Sequence, residues 1–128
     1  MIALVSIKPK YADLILSGEK TIELRKIFNH KINRVYLYAS SPVKRIVAVF
    51  DCNATDFQVY NNDYVCELAC VSLEEYCDYF RNSKTKWFIS PYDVKPINKT
   101  LADIGLKRPP QNYQFLNAAQ IKILEMNL

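Results

Sequence analysis

The stretch Gly18-Glu19-Lys20-Thr21-Ile22-Glu23-Leu24-Arg25 compresses a helix stop, a strand and its charges into eight residues. Alternation along a strand sends successive side chains to opposite faces. Ile22 and Leu24 are then expected to face a core, with Thr21, Glu23 and Arg25 on the other face and Lys20 where the strand begins. Such a face can grip a polar ligand, or be no more than a surface ion pair.

Upstream, Ile2–Ile7 reads as a first strand. Pro9 suits a first helical position and Gly18 the position just past a helix end. Between them, Tyr11, Ala12, Leu14, Ile15 and Leu16 predict a short amphipathic helix. Downstream, Phe28–Asn33 reads as a polar connector. Arg34–Ser40 is a strand with Val35, Leu37 and Ala39 on one face and Tyr36 and Tyr38 on the other. Ser41-Pro42 turns the chain into a long strand, Arg45–Phe57. Its apolar run Ile46–Phe50 implies burial on both faces or closure of a barrel.

Asn61-Asn62-Asp63 reads as a loop, and Tyr64–Val71 suits strand or helix. Ser72 with Glu75 three residues on forms a capping box that opens a helix to about Phe80. Lys84–Ser90 and Tyr92–Ile97 read as two strands parted at Pro91, and Leu101–Leu106 as a helical turn. After Pro109-Pro110 come a short strand, Tyr113–Leu116, and a helix over Ala118–Glu125 capped by Asn117. The expectation is one α+β domain over residues 1–128: a small mixed β-barrel of five to seven short strands with two or three short helices. The lack of repeated crossover helices argues against a doubly wound sheet.

With 128 residues, half of them hydrophobic, the chain is long enough to bury a core without metal or disulfides. Two glycines exclude dinucleotide-binding and P-loop fingerprints. No apolar run is long enough for a membrane span. Met1–Ile7 followed by Lys8-Pro9-Lys10 reverses the order of a signal peptide, so a cytoplasmic location and no membrane partner are expected. Cys52, Cys66, Cys70 and Cys77 lack metal-ligand spacing, and His30 stands alone in a polar loop. No metal and no cofactor are expected, the thiols are read as free and buried or half-buried, and no Ser-His-Asp set can form. Charge is distributed in blocks: residues 1–50 carry +6, residues 51–78 carry −7 and residues 79–128 carry +5. A basic surface attracts phosphates, and the acidic region 51–78 offers a face for a protein partner.

Ser6-Ile7-Lys8-Pro9-Lys10-Tyr11-Ala12, followed by Gly18-x-Lys20-x-x-Glu23-x-Arg25, resembles the ASCH domain with its GxKxxExR signature. Tyr36-x-Tyr38-Ala39-Ser40-Ser41-Pro42-Val43-Lys44 resembles the strand and turn that follow in prokaryotic single-domain members, and Pro109–Leu116 resembles their PPQSFxYL segment. The resemblance runs from about residue 3 to residue 116. It implies a PUA-like barrel with a cleft beside the first helix, lined by the signature, and a role in binding RNA in the control of transcription or translation. Some members look like hydrolases, acting on N4-acylated cytidines or as ribonucleases. The amidohydrolase members use a lysine and, three residues later, a threonine. Here Lys20 fits the first position and Glu23 stands at the second.

The candidate binding residues for RNA or a nucleotide-like ligand are Lys8, Lys20, Glu23, Arg25, Tyr38 and Lys44. Arg25 offers a planar fork to phosphate or a base edge, and Glu23 accepts from a base amino group or orients Arg25. Tyr36 and Tyr38 form an aromatic pair suited to stacking or to packing. Lys44-Arg45 supplies donors for phosphate, and Gln111 and Tyr113 fold back over the cleft if the resemblance holds. Trp87, Phe88 and Tyr92 read as core, as do Cys66, Cys70 and Cys77. In an enzyme, Lys20 and Glu23 would be the catalytic pair, with a further acid from Asp56, Glu67 or Glu74. Glu23 is expected to hold Lys20 charged, favouring binding over catalysis, unless burial or Arg25 offsets it.

Overall fold

In the computed structural model, residues 1–56 and 62–126 are described. Their elements run β1 (Ile2–Ile7), α1 (Pro9–Ser17), β2 (Glu23–Arg25), β3 (Arg34–Ala39), β4 (Arg45–Asp56), α2 (Asn62–Ala69), α3 (Leu73–Phe80), β5 (Trp87–Lys99), a 3-10 turn (Ala102–Ile104), β6 (Tyr113–Phe115) and α4 (Ala118–Glu125). The six strands form one sheet in the order β2-β5-β4-β3-β1-β6. The β1–β3 pair is parallel, with α1 and β2 in the crossover, and the other pairs are antiparallel.

The sheet is strongly curled. In that order β2 and β1 are four strand spacings apart, about 19 Å if the sheet were flat. Yet Arg25 Nη2 on β2 donates to the Ser6 carbonyl of β1 at 2.5 Å. Phe28, just after β2, meets Tyr113 of β6 edge-on at 5.8 Å between ring centroids. The two ends of the sheet therefore come together as an incomplete barrel, and the seam between them is bridged by side chains.

Three apolar clusters hold this shape. Ala12 and Ile15 of α1 pack with Val5, Leu37, Phe50 and Ile89 on one face of the sheet. The other face, with Leu4, Tyr36, Tyr38, Ile46 and Val49, is covered by Ile104, Leu116 and Leu124. Leu24 and Phe88 at the β2–β5 edge pack against α2 and α3 through Val65, Cys66, Ala69, Tyr76 and Phe80.

The α+β barrel class agrees with the sequence reading, and several elements differ from it. There are four α-helices among the described residues, against an expected two or three, because Tyr64–Val71 resolves as helix α2 and its start at Asn62 replaces part of the expected loop. Residue 61 of that loop and Phe57 at the end of the long strand lie outside the described residues. Strand β2 begins only at Glu23, since the amides of Thr21 and Ile22 donate to the Leu68 carbonyl instead of to a strand. Trp87–Lys99 is one strand running through Pro91 and Pro96. Beyond Ile89 it pairs with β4 alone, and a free edge tolerates the missing N–H of proline. The supposed polar connector buries Phe28 and Ile32.

All four cysteines are free, but Cys77 is exposed and Cys70 half-buried, so only Cys52 and Cys66 belong to the interior. Burial pushes the Cys52 thiol up to about 11. Tyr92 is exposed, whereas Trp87 and Phe88 pack as expected. No described helix is long and apolar enough to cross a membrane.

Helix α3 has both halves of its capping box: Glu75 N donates to Ser72 Oγ and Ser72 N to Glu75 Oε1, each at 3.0 Å. Ser72→Ala is expected to lower stability by about 1 kcal/mol. Urea unfolding would show this as a lower midpoint at unchanged slope.

Candidate functional site: a charged cleft at the barrel seam

Helix α1 starts at Pro9 and stops at Gly18, whose φ of +84° is left-handed and suits a residue without Cβ. The chain then folds back, and the Lys20 amide donates to the Leu14 carbonyl at 2.9 Å. This return turns the Lys20 side chain inward, leaving the residue only 3% exposed. Its ammonium lies 3.6 Å from Glu23 Oε1 and 4.8 Å from the centre of the Tyr11 ring, and it donates to the Ala69 carbonyl at the end of α2. Glu23 is 7% exposed, and its other oxygen accepts from Arg25 Nε at 2.9 Å. Through Ser6, the same guanidinium ties the group to β1.

These residues form the floor of a cavity of about 330 Å³. Ser6, Ile7 and Lys8 come from the end of β1, Tyr11 from α1, and Val71, Glu75, Tyr76 and Tyr79 from α3 and the residues before it. The volume matches a small-molecule site. Ser6 Oγ also donates to the Pro110 carbonyl at 2.6 Å, which brings the Pro-Pro segment to the edge of the cleft.

Of the six candidates, Lys8, Lys20, Glu23 and Arg25 come together here. Tyr38 does not line the cavity. It pairs in register with Ser6, but its residue is 5% exposed, and Tyr36 is 0% exposed beneath the second apolar cluster. A base needs an open ring face, so the Tyr36–Tyr38 stacking platform is not formed. Lys44 is exposed on the turn after the cis Ser41–Pro42 bond and does not line the cavity. Gln111 is exposed and Tyr113 packs on Phe28, so neither covers the cleft.

The acid nearest the floor from α3 is Glu75, whereas Asp56, Glu67 and Glu74 are exposed and do not line the cavity. Sequence reasoning took Glu75 only as a helix cap, and its position in the first turn of a helix was the available signal. The Ser72 amide and hydroxyl, bonded to its carboxylate, hold Glu75 below the usual carboxylate range. The rest of the acidic block is divided: Asp51 pairs with Arg34 at 2.8 Å and Asp78 with Arg81 at 2.5 Å. Among the described residues no group of three or more acidic, cysteine or histidine side chains can hold a metal ion.

The electrostatics of Lys20 follow the exception that the sequence reading allowed. Burial lowers its pKa, outweighing Glu23, which acts in the opposite direction. Burial is thus the larger influence on this amine and Glu23 the smaller. Burial and, next, the Glu75 carboxylate raise the Tyr11 hydroxyl.

No family profile matches the chain. A curated relative, the ASCH domain-containing ribonuclease of Zymomonas mobilis, is 29% identical over 132 residues, covering 95% of this chain and 88% of that protein. The crystal structure of ASCH from Zymomonas mobilis superposes with a TM-score of 0.79 at 24% identity, over 96% of this chain and 92% of that one. The chain is similar to an ASCH domain protein over nearly its whole length and shares its fold. Its six-stranded curled sheet with flanking helices has the α+β fold of that neighbour. A second curated relative, ATP synthase subunit alpha of Ureaplasma parvum, is 26% identical over 119 residues, which is 88% of this chain but 15% of that protein.

Two outcomes follow from the buried lysine. An NMR titration of side-chain-labelled protein should place Lys20 below its ordinary 10.5, and Glu23→Gln should lower it further by removing the opposing carboxylate. A lowered folded-state value means that the unfolded chain binds the extra proton, so Lys20 makes stability rise with pH from its folded value up to about 10.5. Denaturant midpoints measured across that window on wild type and Lys20→Met should differ in slope, the variant lacking the rise.

Proposed function

We propose that this chain is an ASCH domain that binds single-stranded RNA and receives one unpaired nucleotide in the seam cleft. The observation that carries the reading is the floor itself. Arg25 and Lys20 offer donors, Glu23 offers acceptor capacity, and Lys20 and Glu23 are buried with Arg25 half-buried beside them, within a cavity the size of a nucleoside. Lys8 is exposed at the mouth, where a phosphate would pass, and residues 1–50 carry the +6 charge block. The ribonuclease name of the Zymomonas relative supports RNA as the ligand class. Regulation of transcription or translation is one use of such binding. Lys44, exposed outside the cavity, would contribute along the path of the strand.

A second reading is RNA hydrolysis at the same floor. It is favoured by geometry suited to proton transfer: a buried amine, Lys20, whose burial lowers its pKa, lies 3.6 Å from the Glu23 carboxylate. Glu23 and Glu75 are the carboxylates available to it. The acylcytidine version is less well supported, because Glu23 occupies the place of the threonine.

Anisotropy of a labelled single-stranded RNA, titrated at several salt concentrations, tests the binding reading. Micromolar or tighter binding that weakens with salt is expected. Lys8→Ala should reduce the log–log salt slope by about 0.7, the value for one phosphate contact on a single strand. Absence of binding at low salt overturns the reading. RNA recovered afterwards on a denaturing gel separates the two readings: breakdown that disappears in Lys20→Met supports hydrolysis, and intact RNA supports binding alone. N4-acetylcytidine incubated with the protein should release no cytidine.

A further inference from the structure

Binding a base takes an edge reader and a face. The floor supplies the first, and the tyrosine pair on β3 is too deeply buried to supply the second. Three other tyrosines line the cleft: Tyr11, Tyr76 and Tyr79. Tyr76 is buried. Tyr11 is already approached by two ammonium groups, Lys20 at 4.8 Å and Lys10 at 5.5 Å from its ring centre. Tyr79 is 39% exposed.

We propose that Tyr79 is the stacking surface of the cleft, and that α3 is therefore the wall that holds a nucleobase while Glu23 and Arg25 meet its edge. This inference rests on the RNA reading above and adds the residue that binds the base face. Tyr79 is positioned for the task. Its ring stands edge-on to Phe80 at 4.9 Å and 66°, and Phe80 is pinned in turn against buried Tyr76 at 5.0 Å and 67°. The ring is thus held by the third apolar cluster while its residue stays open at the cavity.

Lys26 approaches the same ring at 4.9 Å but does not line the cavity. In this proposal the Lys26 ammonium, beside the ring, is also a partner for the phosphate of the stacked nucleotide. Stacking on an aromatic ring tolerates any base, so this wall supplies affinity, and base choice is left to the floor.

The test uses a single-stranded RNA octamer containing 2-aminopurine, whose fluorescence is quenched on stacking, with anisotropy of an end-labelled copy read in parallel. Wild type should quench the probe. Tyr79→Ala should weaken binding about ten-fold and remove the quench. Tyr79→Phe should rescue both, because the hydroxyl is not used in stacking. Tyr92→Ala, a change at an exposed tyrosine on β5 away from the cleft, should match wild type. If Tyr79→Ala binds and quenches as wild type does, while Lys8→Ala weakens binding, the stacking proposal falls and the RNA reading stands. If wild type binds no RNA, the RNA reading falls and the proposal falls with it. A loss in Tyr79→Ala that Tyr79→Phe does not rescue also overturns stacking.

Discussion

The bond from Arg25 to the Ser6 carbonyl determines the most about this molecule. It joins two strands that the sheet order separates by three others. A flat sheet cannot make it, so its presence and the curl of the sheet are the same fact. The guanidinium can sit in this half-buried seam only because Glu23 accepts from it at 2.9 Å, and Glu23 is in turn shared with Lys20. Removing one partner from such a group leaves a buried charge uncompensated, a cost of about 3–5 kcal/mol. The network therefore serves as a clasp for the barrel and as the floor of the cleft. A ligand entering the seam meets groups that the fold has already desolvated and oriented.

Much of this was legible in the chain. Gly18 after an amphipathic helix and the alternation over Ile22–Arg25 place Glu23 and Arg25 on one face without any structure. The capping box at Ser72 and the cap at Asn117 appear where the sequence puts them, the latter as a full box with Gln120. Local rules suffice there because the deciding contacts lie within a few residues.

What was not legible depends on contacts distant in sequence. Thr21 and Ile22 look like strand but give their amides to Leu68, 47 and 46 residues away. Tyr36 and Tyr38 alternate as an open aromatic face would, yet Ile104, Leu116 and Leu124 cover them. Burial of Lys20 draws on the end of α2, a segment that read equally as strand or helix, and that burial outweighs Glu23 in setting the direction of its pKa. The α3 wall was visible only as a helix with a good cap, since nothing in Ser72–Phe80 says which surface it will face.

The central claim, that the seam cleft is the ligand site, is tested most directly by mapping amide and side-chain NMR shifts of the protein as single-stranded RNA is added. The account predicts perturbations concentrated at Lys8, Tyr11, Lys20, Glu23, Arg25, Glu75 and Tyr79, saturating together. Shifts gathered elsewhere, such as the hollow lined by Arg34, Asp51, Asp93 and Lys95, with the seam unmoved, would contradict it.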